Sequence, residues 1–315
     1  MKKSIYILSS GELKREGNTL CFLSERGKRF LPITLVGEMH IFGEMNLNKR
    51  LLEFLAENQI PIHFYNYYGF YIGSFYPREF YNAGIITLKQ SEHYLDKNKR
   101  LVLARKFVEG ALRNMLVNMR YYANRGVHLP TEEFLKILGR IGERNSVGQL
   151  MADEGNAREI YYSSFNMIIK DKAFTMVKRE RRPPSDRLNA MISFGNSLMY
   201  ATMLSEIYKT HLDPRIGYLH ATNSRKFSLT LDVSEIFKPI IVDRTIFSLI
   251  NRRMMGERSF SKEMEGVFLS GRGKRTFIEE YKKKLNTTVK LAGSHRSVSY
   301  RRLIRSSYIN LRSTF

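Results

Sequence analysis

Glu154, His220, Asp232 and Glu235 are the residues whose types and settings could do chemistry. Glu154 lies in Met151-Ala-Asp-Glu-Gly-Asn-Ala-Arg-Glu-Ile-Tyr-Tyr162. The spacing predicts a helix over 147–169, with Val147, Leu150, Glu154, Ala157, Tyr161, Phe165 and Ile168 in one row. That puts a carboxylate on an apolar stripe, where an unpaired charge is costly and a partner is required. Arg158, four residues on, offers a purely structural partner. Gly155 weakens the helix by about 1 kcal/mol, which is easier to tolerate where something must approach the backbone closely. His220 ends the apolar triplet of Gly217-Tyr-Leu-His220 and precedes a polar, basic loop. A lone histidine is more often structural than a ligand. Asp232-Val-Ser-Glu235 reads as a helix start, with Asp232 capping and Glu235 reaching back. A helix start also helps to hold carboxylates ionised.

One imidazole with two or three carboxylates makes a mixed oxygen and nitrogen donor set. Such a set suits Mg²⁺ or Mn²⁺, the usual ions of phosphodiester chemistry. The sequence has no phosphate-binding glycine loop, nucleophile elbow, H-E-x-x-H or dinucleotide fingerprint, so phosphate cradling, acyl transfer and hydride transfer have no support. Fifty-two Lys and Arg against thirty Asp and Glu give a net charge of +22, a self-repelling excess that calls for a polyanionic partner. Nucleic acid is the favoured partner. A membrane surface is not, because no amphipathic helix has the pattern of an interfacial anchor. A generally basic proteome is the bland alternative.

Three stretches carry the positive charge: 177–187 with Lys178, Arg179, Arg181, Arg182 and Arg187; the loop with Arg225 and Lys226; and residues 271–315, with twelve Lys/Arg against Glu279 and Glu280. Lys178, Arg179, Arg181, Arg182, Arg225 and Lys226 are the expected contacts to a nucleic-acid backbone, which position without reading sequence. In 271–315, Tyr300, Leu303, Ile304, Tyr308 and Leu311 predict a tail that orders on nucleic acid or on a partner subunit.

The elements that position these residues fall into two parts. Residues 1–85 carry only +2, from ten Lys/Arg and eight Glu, so +20 falls on the remainder. Short β-rich runs are predicted at Ser4–Ser9, Thr19–Ser24, Arg29–Val36, Met39–Phe42, Pro61–Asn66 and Phe70–Phe75, with one helix, Lys49–Asn58, capped by Asn48. From Ser91 the period becomes helical, with helices predicted at 91–124, 131–140, 147–169, 187–210 and 240–254. The expected fold is α+β: a small N-terminal β domain with one helix, 1–85, then a larger all-helical catalytic domain, 86–315. Ten Phe and Tyr within 63–81 could stack bases, but this part lacks the charge to track a backbone. A sheet face packed into a core or subunit interface is the better reading. The single cysteine, Cys21, precludes an internal disulfide and a paired-cysteine zinc site. No run approaches the ~20 apolar residues of a membrane span. The N-terminus lacks an export signal, so a cytoplasmic protein is expected.

Four blocks, in this order, carry a resemblance: Glu154-Gly-Asn-Ala-Arg158; Arg181-Arg-Pro-Pro-Ser-Asp-Arg-Leu-Asn-Ala-Met-Ile-Ser-Phe-Gly195; Gly217-Tyr-Leu-His220; and Ser228-Leu-Thr-Leu-Asp-Val-Ser-Glu235, followed by Pro239 and Val242-Asp-Arg244. Over nearly the whole chain the sequence resembles the CRISPR-associated spacer-acquisition integrase, the large subunit of the adaptation complex. The resemblance implies a metal-dependent DNA endonuclease and integrase that inserts short DNA spacers into a repeat array by 3′-OH attack on a phosphodiester. It implies Glu154, His220 and Glu235 as catalytic metal ligands for Mg²⁺ or Mn²⁺, with Asp232 supporting them from behind. It also implies double-stranded and branched DNA as substrates, a homodimer formed by the β domain, and a smaller partner subunit. Glutamate at 235 stands where some members have aspartate. The alternatives are a non-catalytic architectural DNA-binding protein, with Glu154–Arg158 as a structural pair, and a structure-specific DNA repair nuclease.

Overall fold

The computed structural model describes residues 2–77, 84–181, 183–221, 227–263, 266–290 and 297–315. The chain divides into two units, Met1–Phe80 and Tyr81–Phe315. In the first, alternation of apolar and polar residues between glycine-bearing turns makes β1 (Lys3–Ile7), β2 (Gly11–Glu16), β3 (Thr19–Ser24), β4 (Gly27–Pro32), β5 (Val36–Ile41) and β6 (Met45–Leu47). Helix α1 (Lys49–Glu57), β7 (Ile62–Tyr65) and β8 (Tyr71–Phe75) follow. Two four-stranded sheets form, in the orders β1-β5-β7-β8 and β4-β3-β2-β6. The β2–β3 hairpin closes through Gly17, whose φ of 59° suits a two-residue loop. Asn48 caps α1 by accepting from Leu51 N at 2.9 Å, and Leu51, Phe54 and Leu55 enter a core with Leu13, Leu20, Val36, Met39, Ile41 and Ile62.

Strands β2 and β6 escape the sequence pattern. In β2, Glu12, Lys14, Arg15 and Glu16 dilute the apolar signal, and the strand exists because β3 and β6 pair with it on either side. The predicted run Arg29–Val36 ends as a strand at Pro32, and a turn at Ile33–Leu35 leads to the start of β5 at Val36. Of the aromatic stretch, Phe64, Tyr65, Tyr71 and Phe75 lie on strands of the β1-β5-β7-β8 sheet, and Phe80 and Tyr81 lie outside the described residues; on that sheet Tyr6 stacks on His40 and Phe42 on Tyr65 with centroids 4.3 and 4.1 Å apart. Glu38, His40 and His63 are buried among these rings.

The second unit is mostly helical: α2 (Gly84–Leu95), α3 (Lys97–Ala123), α4 (Thr131–Arg140), α5 (Val147–Ser163), α6 (Phe165–Ile168), α7 (Arg187–Ile207), α8 (Ser228–Lys238) and α9 (Arg244–Asn251). Strands β9 (Phe260–Glu263) and β10 (Gly266–Leu269) form one ribbon. Helix α10 (Gly271–Asn286), a ribbon of β11 (Thr288–Lys290) and β12 (Ser297–Ser299), and α11 (Tyr300–Arg312) complete it. The helical expectation holds, with two short ribbons set among the helices. Helix α3 is the spine, packed against α4, α5 and α8. Helix α7 is apolar nearly all round and buried along its length.

The predicted helix 91–124 is broken at Asp96, whose carboxylate accepts from Asn98 N and Lys99 N at 2.9 and 3.0 Å and so starts α3 afresh. The 147–169 helix likewise parts at Ser164. Asp232 does not cap a helix: α8 begins four residues earlier, and a wide π turn over Pro239–Asp243 runs it into α9. The C-terminal stretch does not wait for a partner. Ile304, Tyr308 and Leu311 of α11 are buried, and the buried Glu206 of α7 accepts from Arg301 Nε and Arg305 Nε at 2.8 and 2.7 Å.

Candidate metal centre

Helix α5 carries Glu154 and Arg158 one turn apart, and its apolar row is as expected: Leu150, Ala157 and Tyr161 are buried. Glu154 is part-buried. Arg158 Nε donates to Glu154 Oε1 at 2.7 Å, and Arg158 Nη2 donates to Glu235 Oε2 at 2.7 Å. One guanidinium therefore holds carboxylates from two helices. Lys238, one turn after Glu235 on α8, donates to Glu235 Oε1 at 2.6 Å. Burial opposes ionisation of Glu235, but Arg158, Lys238 and His220 outweigh it and hold its carboxyl at about 2.

The Gly217–His220 segment lies directly on the start of α8. A Cβ at Gly217 would meet the carbonyl carbon of Ser228 at 2.6 Å, so only glycine permits the approach. Asp232, fully buried, gathers the segment. Its Oδ2 accepts from Tyr218 N and Leu219 N at 2.6 and 3.0 Å, and its Oδ1 from His220 N at 3.0 Å. The His220 Nδ1 lies 2.8 Å from Asp232 Oδ1. Burial works against a charged imidazole, but Asp232 and then Glu235 outweigh it and raise the His220 pKa. A carboxylate behind Nδ1 turns Nε2 outward as the donor nitrogen, the usual support for a metal-binding histidine.

The structure thus joins Glu154 to Glu235 through Arg158, and His220 to Asp232 directly. Glu235 and His220 feel each other's charge. Among the described residues no cluster of three or more His, Cys, Asp or Glu closes on a common point as a metal cage would. The space between the carboxylates is held by a cation of the chain's own. The donor chemistry fits a hard divalent ion: two carboxylates facing one positive charge, and an oriented imidazole.

Sequence reasoning saw Arg158 only as the i+4 partner of Glu154. It also passed over Lys238, which its i+3 spacing to Glu235 could have flagged, and Asp243, which stands in the Val242-Asp-Arg244 block. Asp243 is buried, accepts from Tyr161 Oη at 3.1 Å, and is pushed up to about 7 by burial.

The expected DNA contacts divide. Lys178 is exposed, its ammonium 3.0 Å from Glu180. Arg181 is exposed. Arg179 turns inward, donating to Asn189 Oδ1 and Ser193 Oγ at 2.7 and 2.9 Å. Arg182, Arg225 and Lys226 lie outside the described residues.

Known proteins place this arrangement. The chain is 52% identical over 307 residues to "CRISPR-associated endonuclease Cas1 2" of Thermodesulfovibrio yellowstonii, covering 97% of this chain and 93% of that protein. It superposes on the structure of a CAS1 protein from Thermotoga maritima with a TM-score of 0.91 at 45% identity, over 99% of this chain and 96% of that one. Two structures share the fold at lower identity. A casposase bound to integration product gives a TM-score of 0.88 at 22% identity, over 100% of this chain and 92% of that one. A Cas6-RT-Cas1–Cas2 complex gives 0.83 at 16%, over 99% of this chain and 34% of that one. The family model for CRISPR associated protein Cas1 matches residues 5–283, and the chain belongs to that family.

Proposed function

We propose that this chain is a metal-dependent DNA endonuclease and integrase that inserts short DNA spacers into a CRISPR array by 3′-OH attack on a phosphodiester. Glu154, His220 and Glu235 would hold one Mg²⁺ or Mn²⁺. The observation that carries this reading is the pairing of Glu154 on α5 and Glu235 on α8 around the single positive charge of Arg158. The names of its relatives, an endonuclease at 52% identity and a casposase of the same fold, support it.

When bound, the ion would polarise a non-bridging phosphate oxygen and offset charge on the oxygens of an in-line displacement. The protein's own groups prepare for that. Arg158 and Lys238 keep Glu235 ionised at neutral pH, so no proton has to leave before the carboxylate can bind a cation. Asp232 fixes the imidazole of His220 and presents Nε2. The positive surfaces align the strands and remove much of the entropic barrier to joining two DNAs.

The reading extends to a homodimer, to a smaller adaptation subunit and to double-stranded and branched DNA, in the cytoplasm. The Cas1–Cas2 complex among the structures of this fold supports the partner. Among the described residues no helix is long and apolar enough to cross a membrane.

The test is strand transfer of a labelled duplex into a repeat-bearing target. Glu154→Ala, His220→Ala and Glu235→Ala are each expected to abolish joining while DNA binding persists. Full strand transfer by Glu154→Ala in magnesium would end the proposal. The Arg158 bridge also suits the rival, an architectural DNA-binding protein in which the carboxylates are structural. Titration with Mn²⁺ separates the two, because the rival binds no ion at Glu154, His220 and Glu235.

A further inference from the structure

Away from the carboxylates, positive residues gather where α3, α6 and α9 end. A cavity of about 710 Å³ there is lined by Tyr122, Arg125, Lys170, Lys172 and Arg253, with Asp171 as its one acid. The cluster continues past Tyr121, whose ring centroid lies 3.6 Å from Arg125 Cζ and 4.7 Å from Arg244 Cζ. Beyond Arg244 comes Lys284 of α10, its ammonium 4.8 Å from the Tyr300 ring of α11.

Helix C-termini attract cations, and that alone could place one positive residue at the end of each of these helices. It does not explain Arg244 beside Lys284, where like charges meet. Among the described residues none of Arg125, Lys170, Lys172, Arg244, Arg253 and Lys284 is ion-paired with a carboxylate, Asp171 included. Asp171 is occupied in accepting from Ala173 N at 3.0 Å. Arg253 adds a second sign. It ends α9 with φ of 55°, a conformation in which glycine is the usual residue and a side chain costs about 1 kcal/mol or more. Guanidinium groups lying on aromatic faces are held in position and still present N–H edges, as bidentate phosphate binding requires.

We propose that this strip, from the cavity at Lys170, Lys172 and Arg253 across Arg125 to Arg244 and Lys284, binds the phosphodiester backbone of a DNA strand at a second contact outside the carboxylate site. The assignment rests on the DNA-processing reading above and extends it. The strip is tied to the catalytic helix: Arg244 Nε donates to Asn118 Oδ1 at 2.7 Å, and Asn118 Nδ2 to Tyr161 Oη at 2.8 Å. Tyr161 lies seven residues beyond Glu154, about 10 Å along α5. The strip would therefore hold a strand close to where it is cut or joined. The state of Lys284 agrees. Burial, then Arg244, lowers its ammonium to about 8, and a bound phosphodiester would reverse that shift.

The experiment uses the full-length protein and a fluorescein-labelled branched DNA duplex, with affinity measured between about 50 and 200 mM salt. Lys284→Gln, and separately the Lys170→Gln, Lys172→Gln double variant, are compared with the parent after circular dichroism confirms the fold. Each lost phosphate contact should flatten the log–log salt slope by about 0.9. In parallel, NMR of ε-carbon-labelled lysine should find Lys284 titrating near 8 in the free protein and higher with DNA bound. Parental slopes in both variants, with Lys284 unmoved by DNA, would overturn the strip while the parent's own steep slope left the DNA reading intact. A flat slope in the parent would overturn the DNA reading itself.

Discussion

Arg158 on α5 donates through Nη2 to Glu235 Oε2 on α8 at 2.7 Å, a bond between residues 77 positions apart. The same guanidinium binds Glu154. The chain thus places its own cation where a divalent ion would draw the same two carboxylates, and it keeps them from repelling each other in the meantime.

Removing that cation should leave the buried carboxylate of Glu235 facing the part-buried one of Glu154. Arg158→Gln is expected to destabilise the metal-free protein by about 3 kcal/mol, the scale for breaking a buried pair by deleting one partner. Mn²⁺ should restore much of the loss by binding the folded state alone. Urea unfolding with and without Mn²⁺ checks this, and equal losses in both conditions would argue that no ion replaces the guanidinium.

Asp232 is expected to matter through His220. Asp232→Asn replaces an acceptor that serves three backbone N–H groups and one ring nitrogen by a group that is half donor. A stability loss on the order of 3 kcal/mol follows from hydrogen bonds to a buried charge. The His220 pKa should fall, since Asp232 is what raises it. Mn²⁺ affinity should drop about 10- to 100-fold, the usual effect of removing the partner behind a histidine ligand. Calorimetric titration and histidine NMR measure both. A merely structural Asp232 would lower stability and leave the affinity of the folded protein unchanged.

These two residues also mark what could be read in advance. Helix α1 was legible because Asn48 and its apolar triplet act locally, and α5 because Leu150, Glu154, Ala157 and Tyr161 repeat at helical spacing. The Arg158–Glu235 bond was not, because it depends on α5 and α8 meeting across α3. Spacing alone made Asp232 look like a cap for the same reason, and only the resemblance put it behind the candidate ligands. An aspartate ahead of an apolar run looks like a helix start, whereas its true partners are amides of a segment twelve to fourteen residues earlier. Amphipathic spacing in 300–312 revealed a face to be covered, but periodicity cannot say that the cover is α7 of the same unit.

That last contact is testable. Glu206 of α7 serves Lys209, Arg301 and Arg305 with one buried carboxylate. Glu206→Gln should cost about 3–5 kcal/mol, since three cations lose their counter-charge. The loss should be local first: hydrogen exchange and proteolysis at 300–312 should accelerate before the rest of the unit opens. Unchanged protection there would mean that Ile304 and Tyr308 suffice to hold α11.

The pH dependence turns on Asp243. Its carboxyl stands at about 7 in the folded protein because burial outweighs the hydrogen bond from Tyr161 and the nearby charges of Arg158 and Lys238. In the unfolded chain an aspartate titrates near about 4. A carboxyl whose folded pKa is raised favours folding while it stays protonated. Its contribution is complete below about pH 4 and is lost as pH rises to about 7, at about 1.4 kcal/mol per unit, beyond which the curve levels. Asp243→Asn mimics the protonated form and keeps an acceptor for Tyr161, so it should escape this loss. The stability of the variant minus that of the parent, from urea unfolding across the range, should therefore climb with pH and reach a plateau near neutrality. Groups that titrate identically in both proteins cancel in that difference. A difference independent of pH would mean that Asp243 is ionised throughout, its charge compensated by Arg158 and Lys238 despite burial, and that the π turn carries a permanent anion beside α5.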